Sequence, residues 1–141
     1  PKTWPEFLEV AKFFNRPESG LYGCVLAGYT DHHNNVYDFL IHLWSRGGEL
    51  LDPDYRPVFD SPIAVEALTW LRDLYHVHQV MDPVCLTLGS VESGNLFAQG
   101  NAAMMWNWCG FAAYCELPEH SKVVGKIGTA MLPGGDNEAG K

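Results

Sequence analysis

Two apolar runs in this chain are too short for helices, and helical segments precede, separate and follow them. Tyr22-Gly23-Cys24-Val25-Leu26-Ala27-Gly28 and Ala102-Ala103-Met104-Met105-Trp106-Asn107-Trp108 read as short buried strands. Ahead of the first, Thr3-Trp4-Pro5-Glu6 is a helix start. Thr3 caps, Pro5 fits the first turn, and Glu6 completes a capping box. Phe7, Leu8, Val10, Ala11 and Phe14 then recur at helical spacing. Between the two runs Ser61 caps a second clear helix with Pro62 in its first position. Ala64, Ala67, Leu68, Leu71 and Leu74 form its apolar face, and it ends near His78. Helices that alternate with short buried strands specify an α/β layer structure.

The remaining segments fit that frame. A helix is expected from about Val36 to Ser45, with Phe39, Leu40, Leu43 and Trp44 inward and Gly47-Gly48 as its stop. Residues 49–59 suggest a small hairpin around a Pro-Asp turn. A shorter helix is expected over Val91 to Ala98, stopped by Gly100. Another is expected over Cys109 to Leu117, and a last strand over Lys126 to Leu132. Residues 133–141 read as a flexible polar tail after a domain that fills 1–132. The start at Pro1, already a helix opening, and the Gly-rich end suggest a piece of a longer protein.

Composition narrows the function. The chain has 141 residues, 47% of them hydrophobic, enough to bury a core. Its net charge of −8 argues against nucleic acid or an anionic membrane as partner. Cys24, Cys85, Cys109 and Cys115 contain no CxxC pair, so no zinc ligand spacing is present. Disulfides and buried free thiols remain equally open readings. No P-loop, nucleophile elbow or dinucleotide fingerprint occurs, and no cofactor is expected.

Five segments in order carry a resemblance. They are Pro1-Lys2-Thr3-Trp4-Pro5-Glu6-Phe7, residues 44–51 (WSRGGELL), residues 59–68 (FDSPIAVEAL), residues 97–104 (FAQGNAAM) and Met131-Leu132-Pro133-Gly134-Gly135. Together they resemble the family 1 extracellular solute-binding proteins of ABC importers, the group that includes maltose- and trehalose-binding proteins. The resemblance spans almost the whole chain. It implies one lobe, the C-terminal one, of a two-lobed periplasmic-binding-protein-like (type II) fold that closes on a ligand. It further implies a mono- or oligosaccharide ligand, a membrane permease as partner, an N-terminal lobe elsewhere in the same protein, and no catalysis. The compartment would be the periplasm, or the cell surface if the protein is lipid-anchored.

Ligands of open α/β sheets lie beyond the carboxyl ends of the strands. The end of the second strand is aromatic. Period-two alternation sets Met104, Trp106 and Trp108 on one face. Trp108 lies nearest the turn, and an indole plate suits the apolar face of a sugar ring. The resemblance implies the same role for an aromatic in an Asn-Trp turn at this point. Phe111 is the second candidate in that turn. Asn107 is expected to orient the turn, Trp106 to be core, Trp44 to be core, and Trp4 to staple its helix. After the first strand, the resemblance places Tyr37 on a ligand-contacting tyrosine of some maltose binders. Asn35 falls where those proteins carry a glutamate. Asp31, His32, His33 and Asn34 belong to the same polar loop, so Asp31 and His33 could bond hydroxyls. A solvated loop before a helix favours the same residue types.

Two rival readings stand beside this one. Asp31-His32-His33 matches the DHH triplet of metal-dependent phosphoesterases, and these are sound metal ligands. That family needs further Asp motifs upstream, where this chain offers only Glu6, Glu9 and Glu18 as carboxylates. No metal site is therefore expected. A non-catalytic interaction module would explain the helices and strands but not the ordered run of segments.

Overall fold

The computed structural model describes residues 1–30 and 33–135. Helix α1 (Trp4–Phe14) opens as its sequence predicts: Thr3 Oγ1 accepts from the Glu6 N–H at 3.3 Å, and Pro5 lies in the first turn. The Glu6 carboxylate reaches one residue further back than a capping box does, accepting from the Lys2 N–H at 2.7 Å. Strand β1 (Tyr22–Val25) is shorter than expected. Helix α2 (Asn34–Trp44) starts two residues early, and α3 (Pro62–His76) follows with Ser61 as its cap. Helix α4 (Ser90–Ala98), strand β2 (Ala102–Met105) and helix α5 (Gly110–Tyr114) complete the order.

The two strands pair in parallel, Tyr22 against Ala102 and Cys24 against Met104, with α2, α3 and α4 in the crossover. The other flank of β1 carries a single bridge, Cys24 to Met81. Helix α1 packs onto β1 so closely that a Cβ on Gly23 would run into the carbonyl of Ala11. This contact fixes Trp4, Phe7, Leu8 and Ala11 over Cys24, Val25, Leu26 and Trp106 as one core. A second cluster, Leu40 and Leu43 with Ala64 and Ala67, glues α2 to α3.

Several expectations are corrected. The hairpin over 49–59 reduces to one antiparallel bridge, Leu51 to Pro57, around a turn held by the Asp52 carboxylate. Residues 126–132 form no strand: glycines and Pro133 interrupt the run, and ladder pairing begins only at Gly134, which bridges Thr3. The first residues of the expected tail are held against the rest of the chain. Pro133 and Gly134 are buried, and the Gly135 N–H donates to Ser45 O at 2.9 Å. Residues 136–141 lie outside the described residues. All four cysteines are free thiols, with Cys109 exposed and the other three buried.

The largest correction is Trp44, which is 55% exposed rather than core. Helix α2 turns a polar stripe inward, with Asn34, Asp38 and His42 buried at intervals of one turn. That stripe exists because the core is rich in indoles, whose N–H groups need acceptors. Trp106 Nε1 donates to Asp38 Oδ1 and Trp4 Nε1 to Ser45 Oγ, both at 2.8 Å. Once these partners and the Leu40–Leu43 contact to α3 are satisfied, Trp44 is left facing out.

Candidate ligand groove

Along β2, and on past the carboxyl ends of β1 and β2, lies an open groove of about 910 Å3 that residues 127–133 also line. The first residues of α2 and α4, Asn34 and Ser90, reach its wall, as does the turn after β2. That turn is built by Asn107. Its Nδ2 donates to Ser90 O at 2.9 Å and to Ser93 Oγ at 3.1 Å, while its Oδ1 accepts from the Trp108 N–H at 2.7 Å. The side chain thus spends its hydrogen bonds on the backbone of Ser90 and Trp108 and on the Ser93 hydroxyl, as expected for a turn-orienting residue.

Because β2 ends at Met105, the alternation that placed Trp106 and Trp108 on one face fails at the turn. Trp106 is buried and Trp108 is 56% exposed. Tyr37, half exposed on the first turn of α2, meets Trp108 edge to face at 5.9 Å and 87°. His33 also meets Tyr37 edge to face, at 5.8 Å and 78°. Phe111 also lines the groove, its ring set where a Cβ on Gly94 would be. The structure therefore brings Trp108, Tyr37 and Phe111 to one groove, with His33 against Tyr37.

It does not bring Asn35 there. Two residues along a helix is about 200° of rotation. Asn35 accordingly sits in a separate depression of about 300 Å3 with Phe39, Leu68 and Met81. Asp31 and His32 lie outside the described residues. Among the described residues no group of three or more His, Cys, Asp or Glu could hold a metal ion.

Asp38 was missed from sequence. It lines the groove, 8% exposed, and its Oδ2 has no hydrogen-bond partner. Burial pushes its carboxyl up to about 7, against a smaller downward pull from the Trp106 hydrogen bond. One turn on, burial holds His42 well below the usual imidazole range, with the Arg46 charge acting in the same sense. Arg46 Nη1 stands 3.2 Å from His42 Nδ1. Guanidinium only donates, so Nδ1 accepts and the neutral ring carries its proton on Nε2. The available signal for Asp38 was the polar i, i+4 series Asn34, Asp38, His42, which an inward apolar reading of α2 passed over.

Residues 1–140 match the family model of the bacterial extracellular solute-binding proteins. The chain belongs to that family. A probable ABC transporter-binding protein of Deinococcus radiodurans is 31% identical over 140 residues, 96% of this chain and 32% of that protein. The solved ABC transporter solute-binding protein of Agrobacterium radiobacter K84, in complex with ribitol, superposes with a TM-score of 0.90 at 30% identity. It is covered over 35% of its length by all of this chain. A maltose-bound protein of T. maritima gives a TM-score of 0.90 at 36% identity, over 99% of this chain and 35% of that one. The chain thus spans about a third of the length of these relatives. Its mixed α/β fold matches that portion of sugar-binding ABC proteins.

Proposed function

We propose that this chain is most of the C-terminal lobe of the substrate receptor of an ABC importer, and that the receptor takes a carbohydrate or related polyol. The observation that carries the reading is the exposed Tyr37–Trp108 pair at the rim of a groove beyond the strand ends. An aromatic plate there covers the C–H face of a polyhydroxy ligand while polar groups meet its hydroxyls. Similar solved proteins hold ribitol, maltose, D-mannitol and α-D-tagatose, all ligands of that chemistry. Trp108 and Tyr37 stack, and Phe111 closes the groove beside them. His33 supports Tyr37 and reaches hydroxyls from the residue before α2.

The work of such a receptor is differential binding. Ligand favours the arrangement in which a second lobe closes over the groove, and the closed form is what a membrane permease reads. No catalytic step is involved. The receptor would act in the periplasm or at the cell surface, in keeping with an extracellular family.

The test is calorimetry of the full-length protein against D-mannitol, ribitol, D-tagatose and maltose, with Trp108→Ala beside the wild type. The expected result is binding to at least one of these, at least about tenfold weaker in the variant, as befits an aromatic contact worth about 1.4 kcal/mol. Unchanged affinity in Trp108→Ala would count against the stacking role.

A further inference from the structure

The side-chain charge of the groove lining is one-sided, although the amino group of Pro1 also borders the groove and Asp38 borders a second depression lined by Arg72 and His76. The groove's 28 described lining residues include no Lys, Arg, His or Glu, and Asp38 is the one side-chain carboxyl among them. The basic side chain next along the inward stripe of α2 is Arg46, and it is engaged elsewhere. It stands 3.2 Å from Glu66 Oε1, donates to His42 O at 3.1 Å, and lies over the rings of Trp4 and Trp70. His42, between Asp38 and Arg46, is held neutral by burial.

Two backbone features pull the other way. Helices α2 and α4 both begin at the groove. Each N-terminus acts as roughly half a positive charge on an anion nearby. Left alone, the two would attract a phosphate or carboxylate. Asp38 sits one turn inside α2 with a full charge when ionised, enough to offset both. Its Oδ2 has no donor to spread that charge, and the surrounding burial screens it poorly.

On the proposed receptor reading, we infer that Asp38 is a specificity-determining residue that makes the groove select uncharged polyhydroxy ligands and reject their anionic forms, phosphomonoesters and sugar acids. It needs no contact with the ligand. The charge acts across the groove, while Trp108 and Tyr37 recognise the carbon skeleton that neutral and anionic ligands share. The position of Asp38 therefore separates what is recognised from what is refused.

The full-length protein at pH 8, where Asp38 is mostly ionised, is titrated with D-mannitol, ribitol, D-tagatose and maltose. The neutral ligand that binds is then paired with its own phosphomonoester. Wild type should prefer the neutral member, and Asp38→Asn should narrow that preference about tenfold, the effect of two unit charges about 10 Å apart at an effective dielectric near 20. Asp38→Ser, which keeps an oxygen for the Trp106 indole and also removes the charge, should narrow it in the same sense and covers misfolding of the first variant. Only the ratio is read, so a general loss of affinity does not imitate the result. A phosphomonoester that binds wild type as tightly as the neutral ligand would overturn the charge filter and leave the receptor reading standing. So would a ratio unchanged in both variants. Failure of wild type to bind any of the four neutral probes would overturn the receptor reading and this inference with it.

Discussion

Asp38 and Trp106 are 68 positions apart in sequence and share a buried hydrogen bond of 2.8 Å, indole to carboxylate. The bond ties the first turns of α2, which carry Tyr37, to the turn that follows β2 and carries Trp108. Trp106→Phe keeps an aromatic ring for the edge-to-face contacts with Trp4 and His42 but leaves Asp38 Oδ1 without its donor. The expected cost is about 1–3 kcal/mol, the penalty for a buried acceptor left unmade. It should be larger at pH 8 than at pH 5, because an ionised carboxylate loses more than a neutral one. Denaturant melts at the two pH values check this, and equal costs would show that the carboxyl does not feel the indole.

Asp38 also shapes the pH dependence of stability. Burial raises its folded carboxyl from 3.8 to about 7. Between those values the folded chain keeps a proton that the unfolded chain releases, so this site loses stability as pH rises through that window. Above about 7 the loss is complete. Asp38→Asn should therefore gain on the wild type as pH goes from 4 to 8. His42 runs oppositely: its lowered pKa removes stability as pH falls below the usual imidazole value. Taking the difference between variant and wild type cancels the His42 contribution. A flat difference across pH 4–8 would contradict the assignment.

Trp4 and Trp44 test the orientation of α2. Trp4 is fully buried against Phe7, His42, Trp70 and Trp106, whereas Trp44 is half in solvent. In this 141-residue chain Trp4→Ala should cost about 3–5 kcal/mol, and Trp44→Ala less than about 1 kcal/mol. Thermal melts would reverse the reading if the two costs were equal.

The groove as it stands is open on the side away from β1 and β2. A site that holds a small molecule well usually covers roughly 70–90% of its surface. This chain alone should accordingly bind the neutral ligand of the full-length protein at millimolar strength or not at all. Micromolar binding in calorimetry would mean that one lobe suffices.

Most of the scaffold was legible because its signals are local. Thr3-Trp4-Pro5-Glu6 and Ser61-Pro62 place two helix starts to the residue, and the two apolar runs place both strands. What failed was rotation about an axis. In α2 the apolar residues outnumber the buried polar ones, so periodicity alone turned Trp44 inward. The true inward face is set by indole N–H groups that arrive from elsewhere in the chain, from Trp4 and Trp106. Trp108 stands out in the sequence because it follows Asn107 at the end of an aromatic run, and the Asn107 carboxamide does accept from its N–H. Asp38 was not found, because its partner is 68 positions away.

Gly94 shapes the groove. The Phe111 ring occupies the volume that any side chain on that turn of α4 would claim. A single methyl added there could not be accommodated without displacing the ring, so the bare Cα of Gly94 sets where Phe111 stands in the groove. The shape of the groove and its charge are thus set at different positions, Gly94 and Asp38.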